Sequence, residues 1–505
     1  MSRRSHRHVG PAAPGPADQA AMAPLHESAA PRALRMDVSR VGRASRPSHS
    51  PHVPAKPEEM SWRDYLVMLL HIAAELEHAL MVEYLYAAYS LGGPAVGAHT
   101  GTVRGWHDEL VTIAREEMGH LLSVQNALVL LGAPISFERD DYPWSGPFNA
   151  FPFALERLTL TSLAKYVYSE MPADDAISGP DVEVARRVRE LVGQEAGVRV
   201  GQVYDRIIAL VENPALVPDS SFHPESYDSQ ADWDEWGRSY RPETHQPYTS
   251  TPDIPPPHSR KTTVFVTKVA TRTELSASLR AIAAQGEAEH LGRKPKAAPS
   301  HFDRFAAMFR RYEVLLAEDP HWSPSRLVPV NPVVTSAGAS APEGATRITA
   351  PDSCTWASLF NIRYRMLLTL LTYASTGPRE QPELAEQRRA YVVSRIFGEM
   401  YNLKALAGVL VRLPLGDPDA PERAGPPFQM PYTLVLPPEA SFWRMQIDLL
   451  DSSADLERQL LSHPHGLPDG VRYLHALREA DATARTWIEQ LLAGLTGKKT
   501  KKRRA

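Results

Sequence analysis

The stretch from Ile113 to Leu131 constrains this chain more than any other. Ile113, Leu121, Val124, Leu128 and Leu131 recur at spacings of three and four, which predicts an amphipathic helix. Glu117 and His120 fall on that apolar face, three residues apart. A carboxylate and an imidazole turned into an apolar seam need partners, because burying either alone is costly. A metal ion is one such partner, and Glu-x-x-His projecting from a bundle helix is half of the ligand set of carboxylate-bridged two-metal centres. Isolated, the same spacing is more often a surface glutamate beside a hydrogen-bonded core histidine. What decides between the two is whether neighbouring helices carry further ligands.

Upstream, a helix is predicted from Ser61, its cap, to Leu91, where Gly92-Gly-Pro94 stops it. Leu66, Leu70, Ala73, Leu80, Met81, Tyr84 and Ala88 share one face, and Glu77 lies in its middle. Tyr84, two turns on, is within reach of the same site as a hydrogen-bond donor. Glu75, His78 and Glu83 read as a polar flank, and Glu116 as a solvent-facing or salt-bridged residue. The Glu117 helix spans about 102–131 and ends at Gly132-Ala-Pro134. A third helix, about 154–171, closes on Glu170-Met-Pro172, since proline cannot continue it. A fourth helical region covers about 181–212.

Residues 213–260 form a long insertion rich in Pro, Ser and aromatic residues, including Trp233, Trp236, Tyr240 and Tyr248, and read as a partly ordered cover. Thr262 to Val266 is a β-like run. Thr271-Arg-Thr-Glu274 is a capping box opening a helix through Glu287-Ala-Glu-His290. Ser300 then opens another helix, with His301, Phe305, Phe309 and Tyr312 on one face.

Of the 505 residues, 43% are hydrophobic and 23% charged, so a sizeable core is available, and the net charge of −4 argues against general nucleic-acid binding. Cys354 is the one cysteine, which excludes an internal disulfide and a thiolate metal site and fits a cytoplasmic setting. No stretch approaches 18 uninterrupted apolar residues, so no membrane span is expected. The expected organisation is a disordered tail at 1–57, a first helical domain at 58–318 with its insertion, and a Pro-rich linker at 319–351. A second helical bundle follows at 352–495, with apolar stripes such as Leu359/Ile362/Met366/Leu370 and Ile396/Met400/Leu403/Leu410, and a basic tail at 496–505.

The runs Ala74-Glu-Leu-Glu-His-Ala79 with Tyr84, Glu116-Glu-Met-Gly-His120 with Asn126, Tyr168-Ser-Glu170-Met-Pro172, Gln285-Gly-Glu287 and His301-Phe-Asp-Arg-Phe305 together form a pattern. It resembles the ferritin-like domain associated with the iminophenyl-pyruvate dimer synthases of violacein and indolocarbazole biosynthesis. The match covers about 61–315. The resemblance implies an all-α fold, a ferritin-like four-helix bundle followed here by a second helical bundle. It implies a ligand set of Glu77, Glu117, His120, Glu170, Glu287 and His301. This chain also carries His290 three residues after Glu287, which competes with His301 for the last position. The resemblance favours His301, and Gly292 and Pro295 break the helix just after His290.

Oxygen and nitrogen ligands without a thiolate suit iron, as a di-iron centre, or manganese. The expected activity is a di-metal oxidoreductase using dioxygen or peroxide on a small organic substrate, such as an amino-acid-derived metabolite. The alternative is a non-catalytic ferritin-like metal-binding protein or scaffold. No nucleic-acid or membrane partner is expected, and self-association is compatible with the pattern.

Overall fold

A computed structural model describes residues 53–232, 236, 264–286, 299–336, 339–376, 382–462 and 467–502. The described residues are overwhelmingly helical, as the sequence predicts.

Helix α1 (Trp62–Ser90) starts where the Ser61 side chain accepts the Asp64 amide at 3.0 Å. It stops at Gly92 and Gly93, which take φ of 104° and 107° that residues with a Cβ avoid. Helix α2 (Thr100–Leu130) follows a 3-10 turn at Pro94–His99 and closes on Gly132. The two pack along their lengths. Helix α1 is the one described helix long and apolar enough to cross a membrane, but 67% of its apolar window is buried in the protein, around Glu77 and Glu83. Those are the features of a core helix.

The third helix is shorter than its periodicity suggested. Residues 154–159 are extended, and α3 (Leu160–Ser169) begins only at a capping box between Thr159 and Ser162. The fourth region is two helices, α4 (Asp181–Val192) and α5 (Val200–Val211), broken by Gly193 at φ 55°. Helix α6 (Arg272–Gly286) starts at the expected Thr271/Glu274 box, and α7 (His301–Glu318) at a second box between Ser300 and Asp303. Helix α5 lies on α1 and α6, α3 lies on α4 and α7, and both α6 and α7 touch α2.

The described part of the β-like run, residues 264–266, forms no strand, and residues 264–270 run along α2 instead. Asn126 holds the Ala231 and Thr267 carbonyls, each at 2.9 Å, and the Ala231 amide at 2.7 Å, while Ser123 accepts the Thr267 amide at 3.0 Å. Gly119 makes this possible. A Cβ there would stand 2.3 Å from the Phe265 carbonyl oxygen. Trp236 is fully buried, whereas Trp233, Tyr240 and Tyr248 lie outside the described residues.

A two-residue parallel pair, β1 (Pro332–Val333) with β2 (Thr346–Arg347), leads into the second bundle. That bundle comprises α8 (Pro351–Thr376), α9 (Pro382–Leu410), α10 (Glu439–Ser462) and α11 (Pro468–Lys502). Its core contains a charged knot. The buried Arg363 guanidinium meets Asp481 at 3.0 Å, Ser453 at 2.7 Å, and Glu399 and Glu457 at 3.4 Å each.

Candidate metal centre

Four helices deliver the site. Glu77 comes from the middle of α1, Glu117 and His120 from the centre of α2, Glu170 from the residue that ends α3, and His301 from the first position of α7. All five are at most 3% exposed. Glu170 is the instructive one. A glutamate at a helix end would ordinarily reach solvent, but α7 covers this end of α3, and the side chain is trapped inside.

Glu117 is the hub. Its Oε2 lies 2.8 Å from His120 Nδ1, and its Oε1 lies 3.0 Å from His301 Nδ1. Glu77 approaches His120 Nδ1 at 3.4 Å, and Glu170 approaches His301 Nδ1 at 3.8 Å. Two triads therefore share Glu117: Glu77/Glu117/His120 and Glu117/Glu170/His301. In each, the nearest donor atoms all lie within 4.8 Å of one another, close enough to hold one ion. The two imidazoles stack, with centroids 5.6 Å apart.

The outer nitrogens explain why the inner ones face acids. His301 Nε2 lies 2.9 Å from Glu116 Oε2, and His120 Nε2 lies 2.9 Å from Gln285 Oε1. With an Nε2 proton committed outward, a neutral ring would turn a lone pair at Nδ1 toward carboxylate oxygens. That contact is repulsive unless a cation or a proton sits between them. The buried His301 Nδ1 indeed makes no hydrogen bond among the described residues. The donor set is the oxygen-and-nitrogen kind that iron and manganese accept.

The electrostatics point the same way. Burial pushes Glu77 up to about 8 and Glu170 up to about 7, and in both cases the Glu117 charge adds to the rise. Burial opposes ionised Glu117 too, but His301 and His120 outweigh it and hold that carboxyl well below its usual range. Burial lowers the imidazoles, yet the surrounding carboxylates win, raising His120 well above its ordinary value and His301 to about 9. Three acids and two bases are crowded into one dry pocket, and without a metal the charge balance is met by protons. A cation of higher charge would displace them.

Tyrosines close the shell. The Tyr84 hydroxyl donates to Glu170 at 2.7 Å, as its place two turns beyond Glu77 suggested. Tyr204 of α5 donates to Glu77, a contact the sequence reading missed. Burial and the neighbouring acids push both phenols well above their usual range, so they remain donors at neutral pH. Glu116, expected to point to solvent or a salt bridge, is fully buried and pairs with both His301 and Arg304, three residues further along α7. Its neighbour Glu117 carried all the attention in the sequence. The i, i+3 pair of His301 and Arg304 was the signal that a second acid must face them.

Two of the three residues of the polar flank, His78 and Glu83, turn inward, while Glu75 is half-buried. His78 is buried between the Phe137 carbonyl and the Tyr364 hydroxyl, and buried Glu83 accepts the Ala154 amide at 2.9 Å. Both Glu287 and His290 lie outside the described residues. The residue before them, Gly286, lies against the centre: a Cβ there would stand 2.9 Å from Glu170 Oε2.

Comparison with known proteins bears on the fold that carries this arrangement. The model of the family described as Ferritin-like matches residues 70–310. The chain is 26% identical, over 77% of its length, to dichlorochromopyrrolate synthase of Lentzea aerocolonigenes. It is 29% identical, over 30% of its length, to 2-imino-3-(indol-3-yl)propanoate dimerase of Chromobacterium violaceum. The matched regions cover 38% and 18% of those two proteins, so the chain corresponds to a minor part of each. No solved structure matches. Residues 70–310, which carry every described residue of the centre, are thus the part of this chain that is similar to the ferritin-like family.

Proposed function

We propose that this domain is a two-metal oxidoreductase centre acting on a small organic molecule, with iron as the metal and manganese as the substitute. Glu77, Glu117 and His120 would hold one ion, and Glu117, Glu170 and His301 the other, with Glu117 shared. Glu287 is proposed as a further carboxylate ligand and His290 as the weaker competitor to His301. The observation that carries this reading is the pair of buried triads hinged on Glu117, with His301 Nδ1 aimed into it and unbonded. A redox-active metal held there would supply one-electron chemistry with dioxygen or peroxide. The protein's part is to keep Glu117 ionised, to orient both imidazoles through Glu116 and Gln285, and to offer Tyr84 and Tyr204 as fixed proton donors beside the carboxylates. The relatives' names suggest an amino-acid-derived imine or a product derived from one as the substrate class.

One observation favours a second reading, a non-catalytic metal-binding scaffold. The space beside the carboxylates is only about 10 Å³, room for about one water. Catalysis on an organic molecule then requires α5 or α6 to move aside. Elemental analysis and oxygen uptake separate the readings. Two equivalents of iron per chain with oxygen consumed on reduction support the oxidoreductase. Tightly bound metal that consumes no oxygen supports the scaffold, and a lack of metal after growth in replete medium overturns both.

A further inference from the structure

A cavity large enough for a small ligand lies away from the carboxylates. It lies where α1 and α2 meet α8 and α9 and has a volume of about 560 Å³, within the range of small-molecule sites. The residues that line it alternate with those of the centre. On α1, Glu77 faces the carboxylate cluster and His78 the cavity, and on α2, Glu117 and Met118 divide in the same way. No residue lines both spaces. A ligand in this cavity is therefore screened from the acids by the two helices that carry them.

Its chemistry is specific. Leu122, Leu367, Leu371, Phe397 and Phe428 build the walls, with the thioethers of Met81 and Met400 among them. Flat aromatic bodies suit such walls, since rings stack edge to face and sulfur contacts ring edges favourably. Two of the polar groups inside are already used: both nitrogens of His78 are bonded, and the Tyr364 hydroxyl is shared between His78 and Arg139, while the Tyr89 and Tyr401 phenols also line the space. No aspartate or glutamate lines the space. Two cations do, Arg115 of α2 and Lys404 of α9, both exposed. Among the described residues neither has an ion-pair or hydrogen-bond partner, although most other arginines of this protein do. Two unneutralised cations at the rim of an apolar, aromatic-walled cavity are complementary to one kind of guest.

We infer that this cavity binds an aromatic organic anion, its ring system against the leucine and phenylalanine walls and its carboxylate or equivalent head between Arg115 and Lys404. The inference goes beyond the metal reading and does not rest on it.

The test compares two fluorescent probes with the same aromatic body: anilinonaphthalenesulfonate, which is anionic, and phenylnaphthylamine, which is neutral. The full chain should bind the anion at a single saturable site, more tightly than the neutral probe. Binding should be equal in metal-loaded and chelator-treated protein. The doubly neutralised variant Arg115→Gln/Lys404→Gln should weaken the anion by about tenfold or more, the scale of one charge-assisted contact, and leave the neutral probe unchanged. Leu371→Trp should fill the cavity and exclude both probes. The double substitution is confined to exposed side chains, so it decides the matter even if the tryptophan variant fails to fold. Equal affinity of the two probes, or unchanged anion binding in the double variant, would overturn the inference. So would anion binding that survives in a folded Leu371→Trp protein.

Discussion

Replacing Tyr204 by phenylalanine tests the metal centre through a residue that touches no metal. The Tyr204 hydroxyl donates to Glu77, and both residues are at most 2% exposed. With metal bound and Glu77 ionised, a hydrogen bond to it is worth about 1.5–3 kcal/mol, most of it lost when the acceptor stays buried and unsatisfied. Independently, loss of a group that orients a metal ligand lowers metal affinity by about 10–100-fold, or roughly 1.4–2.7 kcal/mol. The two routes agree, so Tyr204→Phe should weaken Fe(II) or Mn(II) binding by about one to two decades. Competition against a chelator at fixed pH measures this directly. The control is Tyr86→Phe. Tyr86 is equally buried on α1 and donates to the Pro329 carbonyl, well away from the acids. That variant should lose some thermal stability and keep its metal. If Tyr204→Phe retains full affinity with its helical content intact, Glu77 is not a ligand, and the first triad is a structural cluster.

Three further outcomes are expected. His120→Ala and His301→Ala should each remove most bound metal while circular dichroism stays near wild type, whereas His290→Ala should change occupancy little; the reverse order, read by elemental analysis, would favour the histidine in line with Glu287. Glu83→Gln should keep the bond to the Ala154 amide and become increasingly stabilising above pH 4.5. Burial, then Glu156, raises the Glu83 carboxyl well above its usual value in the folded state, so the native form retains a proton the unfolded chain has lost, and wild-type stability falls as pH rises through that interval. Denaturant midpoints of the two proteins that stay parallel from pH 5 to 9 would contradict this. Arg363→Ala should cost about 3–5 kcal/mol, because it takes from buried Glu457 the only guanidinium in reach among the described residues and leaves buried Glu399 to Arg395 alone; a change below 1 kcal/mol (roughly, surface-pair size) in chemical unfolding would show that water enters the knot.

The local signals were strong wherever one helix carries its own evidence. The Ser61 cap, the double glycine after α1, the Thr271 box and the apolar stripes are short-range features, and each appears in the structure where the sequence has it. Glu117 and His120 share a face because 3.6 residues per turn require it, and that pair was legible from spacing alone. Contacts between helices distant in sequence were not legible from spacing. Glu116 reads as solvent-facing or salt-bridged because its own helix turns it off the Glu117 face; α7 brings His301 and Arg304 to that side, so the salt bridge forms but in the interior. Tyr204 reaches Glu77 only because Gly193 splits the fourth region and α5 turns onto α1. Glu170 ends a helix, a position that usually reaches solvent, and packing buries it. Periodicity reports the face of a single helix. Which other helix covers that face, and so which charges must neutralise each other there, is decided by tertiary packing.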